Sequence, residues 1–225
     1  MAKFYALCEM ENSKPEIYYR ILNEAMTLIK KHGIRFVTMD LIAENLGISK
    51  KTIYVHFRNK KSLISETVKK RLEEQEIAFE EIDRKAKNII ETMVMVMDYG
   101  ASKLDEINPI AFEELKRFYP DLFSSMQNSR KEINHQNTIK MIEIGKKEEL
   151  FREDVHEDIA SRLFLAQMEL MMDHQVFPAM EYSKGVLFKH ICINFLRGIS
   201  TSDGLRVLEN LSSQKTFQDK IENEQ

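Results

Sequence analysis

The sequence predicts an all-α protein, and three features predict it. Periodic apolar segments of helical length cover most of the 225 residues. Alternating β-branched runs bounded by turn residues are absent. Asn108-Pro109 and Tyr119-Pro120-Asp121 punctuate the periodic stretches where one helix gives way to the next. With 43% hydrophobic and 31% charged residues, the chain can bury a core and hold one or two compact domains.

Pro15 and Glu16 open a first helix whose Ile17, Ile21, Leu22, Ala25, Leu28 and Ile29 share one face, and His32-Gly33 closes it. Thr38 is a good N-cap for a short second helix, with Asp40 in its first turn, Leu41, Ile42 and Leu46 as apolar positions, and an end at Gly47. Ser49 caps a third helix carrying Ile53. Asn59 caps a fourth that begins at Lys60-Lys61-Ser62-Leu63-Ile64 and meets no Pro or Gly before about Glu81. A continuous helix transmits a tilt that a Gly/Ser tether would lose. Five more helices are predicted: near Ala86 to Lys103, Pro109 to Phe118, Asp121 to about Lys147, Val155 to Phe177, and Lys184 to Gly198. An amphipathic piece at Leu205, Leu208 and Leu211 leads into a polar tail expected to fray.

Charge divides the chain unevenly. Residues 1–72 hold 14 Lys and Arg against 7 Asp and Glu, net +7, whereas residues 73–225 hold 19 against 29, net −10. A small basic module on a larger acidic helical body suits a DNA reader with a separate sensing or assembly domain. No apolar run reaches the roughly 18 to 20 residues that span a bilayer, and Lys3-Phe4-Tyr5-Ala6-Leu7-Cys8 is too short for a signal sequence, so a cytoplasmic protein is expected. Cys8 and Cys192 stand far apart, which supports neither a disulfide framework nor a zinc site. His135, His156, His174 and His190 with Asp173 show no one-turn His pair, and no metal is expected. No nucleophile elbow, phosphate loop or paired catalytic carboxylates can be defended, which argues against an enzyme.

The stretch from Thr38 to Tyr54 describes two short helices that must cross steeply. Ala43 lets the backbones approach, Gly47 supplies the left-handed turn, and Ile48 plugs the angle, while Ile42, Leu46 and Ile53 share a core with helix one. With Ile53 inward, the third helix presents Lys50, Lys51, Thr52, Tyr54 and Val55. Lys donates to guanine or phosphate, Thr donates, accepts or touches a thymine methyl, and Tyr bonds phosphate or packs on sugar. The pairs Lys30-Lys31, Lys50-Lys51 and Lys60-Lys61 flank this module, and clustered phosphate binding is preferred over three solvated faces.

Here the chain resembles the TetR family of bacterial transcription regulators. The family pattern of Thr, Ile-Ala, Gly-Val-Ser, Thr-(Leu/Ile)-Tyr-x-His-Phe and Lys-x-x-Leu stands as Thr38, Ile42-Ala43, Gly47-Ile48-Ser49, Thr52-Ile53-Tyr54-Val55-His56-Phe57 and Lys60-Lys61-Ser62-Leu63. The motifs cover roughly residues 16–66; beyond them the likeness is one of helical layout and length. The resemblance implies that Thr52, Tyr54 and His56 lie at or near DNA and that Lys60 contacts phosphate. A lysine at a helix N-terminus opposes the dipole, which agrees with that role for Lys60. His56 alternatively satisfies a helix end, and Phe57 belongs to the core. The candidate DNA-binding set is Thr38, Ser49, Lys50, Lys51, Thr52, Tyr54, Val55, His56 and Lys60.

In the body, Met93, Met95, Met97, Met126, Met141, Met168, Met171, Met172 and Met180 accompany several Phe residues, a soft lining suited to a hydrophobic ligand, although core packing explains most of them. Met93, Met97, Met126, Met141, Met168 and Met171 are the ligand candidates. No cofactor is expected beyond an unidentified small hydrophobic effector. Apolar residues from Ile159 to Met171 and from Val186 to Leu196 cover more than one narrow stripe, so those helices want burial on two sides, one of them against a symmetry mate. The expected organisation is a helix-turn-helix domain over 1–64 and a helical regulatory, ligand-binding and dimerisation domain over 65–225. The expected function is a ligand-responsive repressor, homodimeric on a palindromic operator. The alternatives are a helical interaction protein with a basic module, or an activator of the same family without a small-molecule effector.

Overall fold

The computed structural model describes residues 15–106, 108–173, 175–178 and 180–211, and the regular elements among them are helices, with one isolated bridge between Phe151 and Ser200. The all-α expectation is borne out. Cys8, His174 and the tail beyond Leu211 lie outside the described residues.

The helices are α1 Glu16–His32, α2 Met39–Leu46, α3 Lys50–His56, α4 Lys60–Lys85, α5 Ile89–Asp105, α6 Pro109–Phe118, α7 Pro120–Lys147, α8 Glu157–Leu170 and α9 Lys184–Ile199. Residues 202–211 form a further helix, α10. Several boundaries differ from the sequence reading, α4 running to Lys85 rather than about Glu81 among them, and two have a visible cause in side-chain bonds. Helix α5 starts at Ile89 rather than near Ala86, because Asn88 caps it through the Glu91 N–H at 2.9 Å while Glu91 reaches back to the Lys87 N–H at 2.8 Å. Helix α8 stops at Leu170 rather than running to Phe177. The Met172 and Asp173 N–H groups tighten onto carbonyls three residues back, and the Asp173 carboxylate then accepts the Gln175 N–H at 2.8 Å, a side-chain turn that competes with the helix.

The described residues pack as two compact units, one within 1–76 and 107–124 and the other within 77–106 and 125–225. In the first unit, Ile21, Leu22 and Ala25 of α1 close on Ile42 of α2, Ile53 of α3, Phe57, and Leu63 and Ile64 of α4, all buried. Helix α6 belongs to this unit and puts Ala111 and Leu115 into its interior. In the second unit, the core is Ile89, Ile90, Val94 and Met97 of α5, Ile142 of α7, Phe151, Val155, Cys192, Leu196 and Ile199 of α9, and Leu208 of α10. Burial pushes the Cys192 thiol up to about 12, so it remains a protonated core group at neutral pH.

Candidate nucleic-acid interface

The reading head is built by caps and one turn. Thr38 Oγ1 accepts the Leu41 N–H at 3.1 Å and starts α2. Gly47 ends it at φ 64° and ψ 34°, a left-handed conformation that glycine adopts without cost, and the Ile48 N–H returns to the Ala43 carbonyl at 3.0 Å. Ser49 Oγ accepts the Thr52 N–H at 3.1 Å and starts α3. Ile42 and Ile53 are fully buried and Ala43 nearly so, as the crossing of two short helices requires; Leu46 and Ile48 are half-buried at its margin.

With Ile53 inward, α3 turns Lys51, Tyr54 and Val55 outward, Tyr54 at 47% and Val55 at 73% exposure. This is an aromatic and a methyl-bearing surface beside a cation, the chemistry that touches bases, sugars and phosphates in a major groove. The other candidates have partners within the protein. Lys50 pairs with Asp40 of α2 at 2.8 Å, and that hydrogen-bonded carboxylate raises its pKa above the ordinary lysine value. Thr52 Oγ1 lies 2.8 Å from Ser49 Oγ. The half-buried His56 ring lies edge-on to Tyr18, centroids 6.1 Å apart. The half-buried Lys60 donates to the Arg35 carbonyl at 3.1 Å, and burial pulls its pKa below the usual lysine range.

Tyr18 is a residue that sequence reasoning missed. Its ring stacks on Phe57 at 4.9 Å, and its hydroxyl donates to Glu66 of α4 at 2.7 Å, so it joins α1, the end of α3 and α4. Burial first, and then the bond to Glu66, push its pKa well above that of a free phenol. Its spacing of three and four residues from Ile21 and Leu22 already placed it on the inner face of α1.

The methionines behave differently from one another. Met97 lies in the second unit's core, with Met93, Met141 and Met168 packed partly buried against it. Met171 is buried, Met126 half-buried and Met180 fully exposed. Among the described residues no group of His, Cys, Asp and Glu is arranged to hold a metal, and His135 is engaged by Ser161 Oγ at 2.8 Å and Asp158 Oδ1 at 3.1 Å. No helix among them is long and apolar enough to cross a membrane.

Comparison with known proteins points to the same module. Residues 21–67 match the family model described as bacterial regulatory proteins, tetR family. The uncharacterized HTH-type transcriptional regulator YvaF of Bacillus subtilis (strain 168) is 22% identical over 185 residues, covering 82% of this chain and 96% of that protein. Two solved structures share the fold. A TetR-family transcriptional regulator from Agrobacterium tumefaciens superposes with a TM-score of 0.62 at 17% identity, over 82% of this chain and 97% of its own. The regulator FadR from Bacillus subtilis, solved in complex with stearoyl-CoA, gives 0.57 at 16% identity, over 81% and 99%.

Proposed function

We propose that this chain, whose residues 21–67 match the tetR family of bacterial regulatory proteins, is a DNA-binding transcriptional regulator and, more narrowly, a ligand-responsive repressor acting as a homodimer on a palindromic operator. The observation that carries the reading is the outward face of α3, where Lys51, Tyr54 and Val55 stand free of the core on a helix fixed by Ser49, Gly47 and Ile53. Tyr54 and Val55 contact base edges and thymine methyls. Lys51 neutralises phosphate, and Thr38, Ser49, Lys50, Thr52 and His56 line the approach.

Dimerisation is supported by α8 and α9. Ile159, Leu163 and Leu170 on α8 and Val186 on α9 remain exposed although the other faces of both helices pack in the unit's core. Two copies pairing these faces make a four-helix interface and present two reading heads to successive major grooves, about 34 Å apart along the duplex. Effector binding is supported by the partly buried Met93, Met141 and Met168, which pack against the core that includes Met97, and by the stearoyl-CoA that a regulator of the same fold holds. A ligand that favours a body conformation off the operator spacing lowers operator affinity by its differential affinity for the two states.

The test is fluorescence anisotropy with duplexes drawn from the DNA flanking the protein's own gene, set against random duplex at moderate salt. A flanking duplex is expected to bind at least about a thousandfold more tightly. Equal affinity for both would remove the regulator reading, and adding stearoyl-CoA as a probe then reads whether an acyl ligand releases the operator.

A further inference from the structure

A sharp turn between α1 and α2 is held by two side chains from distant parts of the chain. The Arg35 N–H donates to Glu114 Oε2 of α6 at 2.9 Å, and the Arg35 carbonyl accepts from Lys60 Nζ of α4 at 3.1 Å. The guanidinium of the same residue lies over the Phe118 ring of α6, 5.6 Å from its centroid. Gly33 enters the turn at φ 87°, and a Cβ there would stand 2.8 Å from the Glu114 carboxylate, so the turn has closed onto that group. Asn108 fastens the start of α6 as well, donating to the Lys30 carbonyl at 3.2 Å while its Oδ1 caps Ile110 at 2.9 Å.

We infer that Lys60 and Glu114 are positioning residues of the reading head, which hold the Arg35 backbone through its carbonyl and its N–H and so set the entry to α2. Arg35 stands three residues before the cap Thr38, so a fixed Arg35 peptide fixes where α2 begins. Lys60 stands at a helix N-terminus, where its charge opposes the dipole, and a carbonyl partner and the nearby Glu114 carboxylate hold it there.

The inference rests on the DNA-binding reading, and two measurements on the full chain separate the two. In the absence of DNA, hydrogen exchange at the Arg35 amide is expected to quicken severalfold in Glu114→Ala and to stay near wild type in Glu114→Gln, which keeps an acceptor. Unchanged exchange in Glu114→Ala would overturn the clasp. On operator DNA, Glu114→Ala is expected to weaken binding by about 2- to 10-fold, with the slope of log affinity against log salt unchanged, because it removes a tie on the turn and no cation. Undiminished binding in Glu114→Ala overturns the assignment. Glu114→Gln should bind as wild type; equal loss in both Glu114 variants counts against the clasp. Without DNA, Lys60→Met should quicken Arg35 exchange as Glu114→Ala does, and unchanged exchange there removes Lys60 from the clasp. If the wild-type protein binds no operator, the DNA reading fails, and the Arg35 exchange alone decides the clasp.

Discussion

Helices α3 and α8 each leave one face unpacked, and the two faces differ in chemistry. The face of α3 carries Lys51, Tyr54 and Val55, a cation beside amphipathic and methyl groups. The face of α8 carries Ile159, Leu163, Ala166 and Leu170 at spacings of four, three and four, with Leu163 at 60% exposure. On the opposite side of α8, Ala160, Phe164 and Met168 pack against the core, and Ser161 is fully buried on His135. Exposure alone therefore does not identify a partner. A mixed cationic and aromatic face suits a hydrated polyanion, whereas a row of aliphatic side chains suits a dry partner of like kind.

The largest effect is expected on α8. In the proposed dimer, Leu163→Glu buries an unpaired carboxylate, at a cost of about 3 to 5 kcal/mol. Sedimentation velocity should then show dissociation at a protein concentration some hundredfold or more above that of the wild type. Because Leu163 is exposed in the single chain, circular dichroism should show its fold unchanged. A variant that remains dimeric would mean that this face is not the interface.

On α3 the expected effects are smaller and of two kinds. Tyr54→Ala should cost about 1 to 3 kcal/mol on the operator and much less on random duplex, narrowing the gap between them. Lys51→Ala should weaken both duplexes alike and make the salt slope shallower by about 0.9 for each head bound. If Tyr54→Ala weakens both duplexes equally, its ring touches the backbone and does not read bases. The same pair of measurements on Leu163→Glu, made above its dimerisation concentration, should leave the salt slope of each head unchanged.

How far the sequence foretold these faces depends on the distance over which each feature is decided. The caps Thr38, Ser49 and Asn59 and the turn at Gly47 were legible because each is settled within about four residues, by a side-chain oxygen or a backbone dihedral. Ile53 inward and Tyr54 outward followed from helical period alone. The pairs Lys50 with Asp40, Lys60 with Arg35 and Glu114 with Arg35 join residues 10, 25 and 79 apart, and no local pattern announces them. Lys60 shows the consequence: its position at a helix start was read correctly, and its partner within the protein was not visible. The overlong α8 arose because Met171, Met172, Val176 and Phe177 keep an apolar texture past Leu170, while the Asp173 turn that ends the helix is a single hydrogen bond.

The smallest effect tests whether charge on the reading head is held in check. Asp40 lies in the first turn of α2, where its carboxylate favours the helix, and it ties up Lys50 at 2.8 Å beside the exposed face of α3. Both side chains are largely solvent-exposed, so the pair contributes little to folding, but it keeps a cation partly neutralised where DNA arrives. Asp40→Asn removes that negative charge and leaves Lys50 free for phosphate. Random-duplex affinity is expected to rise by about threefold at 0.1 M salt, with a salt slope steeper by up to about 0.9 for each head bound. Operator affinity should rise no more than that, so discrimination stays level or falls. The matching change on α8, Asp158→Asn, removes the carboxylate paired with Arg162 at 2.9 Å and should leave the salt slope where it was. An unaltered slope in Asp40→Asn would place Lys50 away from phosphate, leaving Lys51 with Tyr54 and Val55 as the part of α3 that meets DNA.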